Sequence, residues 1–154
     1  MEKTENLFDE WNKEKIFIEL NNKIKRNAKN GEIWLAKIGI NIWWEISKDW
    51  KFVRPVLIVS TFMWWDLVWI IPITTKFNDS YAKFLLEILE YEKYWLDKKS
   101  YLCLNQFRTI SLKRLESRIN WFYRWKYHKK LISNSFINIA LEKIILLNKK
   151  STPK

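Results

Sequence analysis

Two short apolar runs, Val56 to Val59 and Leu67 to Ile73, stand out in the hydrophobic pattern, each bounded by polar or turn-forming residues. Runs of that length between turn signals predict two buried strands of a hairpin, with its turn near Met63 to Asp66. Arg54-Pro55 opens the first run and Thr74-Thr75 closes the second, so the hairpin brings Arg54 and Thr74 to one end. Glu32 to Ile38 alternates roughly and predicts a strand before the hairpin. Phe84 to Leu89 and Tyr101 to Phe107 predict two strands after it. Ser111 reads as an N-cap, with Leu112, Leu115 and Ile119 on one face of a short helix. From about His128 to Leu147 the apolar positions Ile132, Phe136, Ile139, Ala140, Ile144 and Leu147 keep the spacing of an amphipathic helix. Phe8, Trp11 and Ile18 share a helical face near the start. The polar stretches from Gly39 to Trp50, Phe77 to Lys83 and Tyr91 to Ser100 read as loops.

Several short strands with a late helix predict an α+β fold, a small, strongly bent β-barrel with helices packed outside. Residues 1–30 read as an N-terminal helical extension, 31–150 as the barrel domain with its C-terminal helix, and 151–154 as a tail. A chain of 154 residues with 48% hydrophobic content can build one such core without staples. The stretch Val56 to Ile73 is too interrupted, by Ser60-Thr61, Asp66 and Pro72, for a membrane-spanning helix. Met1 to Lys15 lacks the apolar core of a signal peptide, which predicts a cytoplasmic protein.

Charge narrows the partners. A formal net charge of +11 favours polyanions, nucleic acid first, an acidic protein next and anionic lipid last. With one cysteine, Cys103, and one histidine, His128, the chain holds neither a zinc ligand set nor a two-histidine ribonuclease pair. No glycine-rich phosphate loop occurs, so nucleotide hydrolysis has no support, and no cofactor or metal is expected.

The chain has 2 Gly and 11 Trp. Several tryptophans fall where turns are predicted: Trp50, Trp64, Trp65, Trp95, Trp121 and Trp125. Turns favour residues that tolerate positive φ, which suits glycine and not tryptophan. This distribution predicts that several are glycine codons, UGA read as Trp where the source reads it as Gly. Ordinary UGG codons at Trp50, Trp64, Trp65, Trp95 and Trp121 would refute it. Trp11, Trp34 and Trp69 sit in helical or strand-like runs and read as genuine.

A fixed cation beside a hydroxyl, in a strongly basic protein, suggests a phosphate site at Arg54 and Thr74. Taken alone, Arg54 equally fits a surface ion pair, Thr74 a strand end, and Gln106 and Arg108 a tied turn. Four blocks add to this: GEIWLAKIGINIWWE, KDWKFVRPVLIVS, LVWIIPITTK and LNQFRTISLKRLESRI, in order and at suitable spacing. Together they resemble the MazF/PemK toxins of bacterial toxin–antitoxin pairs over about Gly31 to Ile119. FDEWNKEK is similar to the N-terminal extension of longer PemK-like members. The resemblance implies an SH3-like barrel, a homodimer in that family's manner, a cognate antitoxin, and metal-independent cleavage of single-stranded mRNA. It implies Arg54 and Thr74 as catalytic residues and Glu45 as a possible base or substrate-groove residue. It also implies RNA contacts at Gln106 and Arg108, with Lys51 and Lys76 as basic neighbours. The family's glycines near Trp43, Trp50 and Trp121 are bulky here. Phe52, Phe77 and Tyr81 are candidates for stacking on bases. Two other functions remain open on these residues: a CcdB-like toxin that binds a topoisomerase, and an inactive RNA-binding barrel.

Overall fold

The computed structural model describes residues 5–21, 27–39, 52–119 and 131–151. The predicted hairpin forms from β2 (Val53–Phe62) and β3 (Leu67–Thr74), after β1 (Ile33–Lys37). Their antiparallel register sets Val56 opposite Pro72, Leu57 opposite Ile71 and Ile58 opposite Ile70, with a bulge between Ile58 and Ser60. Side chains alternate across a strand, so Leu57, Val59, Ile71 and Ile73 bury on one face. Val56, Ile58, Val68 and Ile70 bury on the other.

Four short strands complete the sheet: β4 (Leu85–Glu87), β5 (Tyr101–Cys103), β6 (Arg108–Ser111) and β7 (Leu115–Arg118). The order is β4-β5-β3-β2-β1-β7, with β6 also paired to β3. The expected closed barrel is corrected here, because the outer strands β4 and β7 do not pair with each other among the described residues. The cause lies in β3. Its first half, Leu67 to Ile70, pairs β6, and its end, Ile73-Thr74, pairs β5. Pro72 stands between these halves and has no N–H to carry a ladder across the change of partner. The result is a curled, seven-stranded antiparallel sheet.

The same change of partner breaks the strand expected over Tyr101 to Phe107 into β5, a 3₁₀ turn at Leu104–Gln106, and β6. The short helix expected after Ser111 is also corrected. Ser111 does cap, its Oγ accepting from Lys113 N at 3.2 Å, but only a 3₁₀ turn at Leu112–Arg114 follows before β7. Leu112 and Leu115 are buried as expected, one from the turn and one from the strand. The strand expected from Phe84 begins at Leu85, after a 3₁₀ turn at Asp79–Phe84.

Helix α2 (Asn134–Ser151) covers one sheet face with Ile137 and Ala140. Ser133 Oγ accepts from Phe136 N at 3.3 Å, so this helix starts later than its periodicity suggested. His128 lies outside the described residues. Helix α1 (Glu5–Asn21) buries Trp11 and Ile18, as their spacing predicted. Its seat is specific. Trp11 meets Phe52 with ring centroids 5.2 Å apart, and the Arg114 guanidinium lies 5.5 Å from the Trp11 ring centre. Lys37, on β1, bonds Glu14 of α1 at 2.5 Å and Glu116 of β7 at 3.2 Å. Gly39 completes the seat with φ +79, and a Cβ there would lie 2.2 Å from Trp11 Cε2. Gly39→Ala is therefore expected to cost about 2–4 kcal/mol, from the ring clash and the left-handed backbone together. Chemical unfolding of the variant measures this directly.

The tryptophans divide as the composition suggested at some positions and not at others. Trp34 donates Nε1–H to Glu32 at 2.9 Å, and Trp69 packs edge-on against Phe62 and Phe107. Trp64 and Trp65 are 98% and 76% exposed, yet the left-handed position of their turn falls on Asp66, at φ 51. Trp95 does take a left-handed backbone, with φ 63. That conformation costs an L-residue about 1–2 kcal/mol, and glycine almost nothing. Trp95→Gly is expected to raise stability by about 1 kcal/mol, read as an upward shift of the unfolding midpoint. A fall in the midpoint would refute glycine as the fitting residue there. Trp43, Trp50, Trp121 and Trp125 lie outside the described residues.

Candidate functional site

Continued two positions beyond Val56 and Pro72, the β2–β3 register sets Arg54 opposite Thr74. Both then share the face of Val56 and Ile58 by strand alternation. Arg54 and Thr74 are each half-buried, and the Arg54 Nε is buried. The Thr74 hydroxyl oxygen accepts from Lys76 N at 3.2 Å, which holds the side chain and leaves its own proton to donate.

Beyond Thr74, β5 supplies the neighbouring row. Thr74 pairs with Tyr101, and Cys103 follows two residues on, on the same face. Burial pushes the Cys103 thiol up to about 12, with the nearby Arg54 charge opposing it. At neutral pH this thiol is protonated and inert as a nucleophile.

A cleft of about 270 Å³ opens here, lined by Thr74, Lys76, Cys103 and Gln106 among others. Of the residues singled out by sequence, Thr74, Lys76 and Gln106 line this cleft, and Arg54 is not part of its lining. Arg108 is half-buried on the same face as Arg54, but stands opposite Ile70. That is four residues back along β3 from Thr74, about 13 Å at strand rise. Glu45 and Lys51 lie outside the described residues.

The stacking candidates separate as well. Tyr81 lines the cleft. Phe77 is exposed with its ring 5.3 Å from that of Tyr101. Phe52 is a packing residue, buried against Trp11. Sequence reasoning passed over Asn78, Phe84 and Asn105, which also line the cleft. Their signal was faint, since each sits in a segment that reads simply as a loop or a strand. A second cleft, of about 280 Å³, lies beside Thr74-Thr75 and is lined in part by Pro55, Trp95 and Lys98. Among the described residues, no three His, Cys, Asp or Glu side chains gather as a metal set would. No helix among them is long and apolar enough to cross a membrane.

A half-buried guanidinium and a half-buried hydroxyl thus stand at the neighbouring ends of β2 and β3 in an antiparallel sheet. The family of PemK-like, MazF-like toxins of type II toxin–antitoxin systems matches residues 29–124. That span is more than half of the chain, and the chain belongs to this family. The fold is similar to that of MazF from Deinococcus radiodurans, with 12% identity, a TM-score of 0.54, and coverage of 81% of this chain and 99% of that one. It is also similar to an endoribonuclease solved in complex with its cognate antitoxin from a mycobacterial species. There the identity is 12%, the TM-score 0.52, and the coverage 82% of this chain and 100% of that one. Among curated proteins, no sequence matches the chain.

Proposed function

We propose that this chain is a metal-independent endoribonuclease that cuts single-stranded mRNA and is held in check by a cognate antitoxin. The observation that supports the reading is the register of β2 on β3, which, carried two positions past the Val56–Pro72 pair, brings Arg54 opposite Thr74. The ribose 2′-oxygen attacks its own neighbouring phosphorus, and the bond to the 5′-oxygen of the next nucleotide breaks. A 2′,3′-cyclic phosphate and a 5′-hydroxyl result. The 2′-OH proton passes to solvent water as attack proceeds, and the departing 5′-oxygen takes one from water.

Negative charge builds on the phosphoryl oxygens along this path. A guanidinium stays charged and donates two parallel hydrogen bonds to such oxygens, which assigns that task to Arg54. Thr74, with its oxygen engaged by Lys76 N–H, donates a hydrogen bond that orients the 2′-OH or the leaving oxygen. Lys76 and Arg108 extend positive charge along the strand path, so binding weakens as salt rises. Cys103 takes no proton here, being neutral already. Two copies of the chain and an acidic antitoxin complete the proposed assembly, in a cytoplasmic setting.

The test is cleavage of a long single-stranded RNA in EDTA by the purified protein, beside Arg54→Ala and Thr74→Ala. Site-specific cuts that disappear in both variants support the reading. Absence of any cut by folded wild-type protein overturns it, and leaves a toxin that acts by binding another macromolecule.

A further inference from the structure

Arg54 stands at the start of β2, where the ladder is thin. The next residue, Pro55, has no N–H to donate, and neither has Pro72, which faces Val56 from β3. Among the described residues the β2–β3 register runs from Val56 to Phe62. Val53, Arg54 and Pro55 therefore pair with β1 alone, at Lys37, Ala36 and Leu35. With little ladder beyond it, the placement of Arg54 leans on the chain that comes before.

Phe52, two residues before Arg54, has a left-handed backbone at φ 56. A bulky residue in that region is an outlier, and it persists only where its surroundings over-determine it. Two sets of contacts do so here. The Phe52 oxygen accepts from Ile38 N at 3.0 Å and from Gly39 N at 3.2 Å, which closes the β1–β2 ladder. Trp11 of α1 covers the Phe52 ring, and Phe52 is only 7% exposed. Trp11 is itself braced, between the Gly39 backbone and the Arg114 guanidinium. Its helix is tied to the sheet by Glu14 on Lys37 and by Glu19 on Lys113. Ring burial by itself needs no left-handed backbone.

We propose that Trp11 is a positioning residue for the site: it holds the left-handed turn at Phe52 and, through that turn, the guanidinium of Arg54. This rests on the proposed ribonuclease reading, because Arg54 is the group being placed. The link is short, since two residues of strand put Arg54 about 7 Å beyond the turn. Without the ring of Trp11, Phe52 relaxes toward negative φ, its oxygen leaves the two donors, and the chain entering β2 swings. A misplacement of about 1 Å in a catalytic group costs up to about 10²-fold in rate. Trp11 acts through Phe52 and touches no RNA.

The experiment uses the full chain and one labelled RNA. Trp11→Ala is expected to lower kcat about 10- to 100-fold with KM nearly unchanged. Trp11→Leu, which keeps a buried apolar side chain without the ring, shows the same split and serves if the alanine variant does not fold. Trp11→Phe keeps a ring over Phe52 and most of the rate. Ile137→Ala, a truncation in the core under α2, lowers the unfolding midpoint and leaves kcat unchanged. The decisive variant is Phe52→Gly in the Trp11→Ala background. Glycine takes a positive φ at no steric cost, so the turn no longer needs its cover, and kcat is expected to rise about 5-fold or more. A second signal is independent of RNA. The Arg54 Nε is buried, so its N–H is expected to exchange slowly by NMR, faster in Trp11→Ala, and slowly again in the double variant.

A normal kcat in folded Trp11→Ala or Trp11→Leu overturns this role and leaves the ribonuclease reading standing. A loss that Ile137→Ala matches, or that Phe52→Gly deepens, also overturns it, because Trp11 is then a core residue and nothing more. Wild-type protein that cuts no RNA, while the Arg54 N–H responds to Trp11 and Phe52 as expected, sinks the ribonuclease reading and leaves the placement of Arg54 by α1 intact. An Arg54 signal unmoved by Trp11→Ala overturns the placement whether or not RNA is cut.

Discussion

Arg54→Ala is expected to lower the rate of RNA cleavage by about 10²–10³-fold, the loss typical of one preorganised donor aimed at developing charge. The fold is expected to survive, because Arg54 sits at the start of β2, outside the continuous buried run Val56 to Val59. Arg54→Lys separates charge from geometry. Lysine keeps a cation at this place but loses the two parallel donors of the guanidinium, so it restores only part of the rate. Initial rates on one labelled RNA, at saturating and limiting substrate, check both variants. A fall in kcat with KM nearly unchanged marks a contact made in the transition state. A rise in KM alone would reduce Arg54 to a binding residue. An unchanged rate would remove it from the site and, with it, the central support for the proposed chemistry.

Removing the guanidinium has a second, spectroscopic consequence that does not depend on RNA. The Arg54 charge opposes the upward push of burial on the Cys103 thiol. In Arg54→Ala the thiol is expected to titrate higher still, and to react more slowly with a thiolate-selective alkylating reagent at alkaline pH. That measurement reads the proximity of Arg54 to the β5 row whether or not the protein cuts RNA.

The hairpin and both long helices were legible because each rests on local periodicity. Val56 to Val59 and Leu67 to Ile73 are buried runs of strand length, and Trp11 and Ile18 mark one helical face. Leu112 and Leu115 misled, since a spacing of three fits a helix and also a 3₁₀ turn that passes into a strand. The break after Cys103 was invisible for another reason: its cause is Pro72, on a different strand, where β3 exchanges β6 for β5. The cleft shows the same limit. Asn78, Phe84 and Asn105 come from two separate 3₁₀ turns that meet at the cleft, which no window along the chain displays. Among the described residues β4 ends the sheet, which no local pattern along the chain shows either.

Glu32 is the clearest residue of this kind, and its replacement is expected to have a large effect on stability. Read along the chain it is the polar start of a strand, yet its side chain is 1% exposed. Three donors converge on it: Arg118 Nη1 at 2.6 Å, Trp34 Nε1 at 2.9 Å and Lys29 N at 3.0 Å. The backbone at this point ties three elements, with Ile58 N donating to Glu32 O and Ile132 N to the Gly31 oxygen. Gly31 is obligatory there, since a Cβ would lie 2.4 Å from the Ile132 oxygen. Glu32→Ala leaves a half-buried guanidinium and a buried indole N–H without their acceptor, and is expected to cost about 2–4 kcal/mol. Glu32→Gln keeps an acceptor and is expected to cost less.

The same carboxylate sets an acid limit. Burial alone would raise its pKa, but the hydrogen bonds from Trp34, Lys29 and Arg118, with the Arg118 charge, hold it below the ordinary value of 4.5. The folded state thus binds this proton less readily than the unfolded chain. Its stabilisation is fully present above about pH 4.5 and is lost as pH falls through the folded value. Unfolding free energy measured from neutral pH down to about pH 3 is expected to fall more steeply in wild type than in Glu32→Gln, which cannot titrate. Parallel curves would show that Glu32 is protonated in both states alike. The Arg118 contact would then be an ordinary hydrogen bond, and Glu32→Ala would cost no more than any other lost acceptor, about 1–3 kcal/mol.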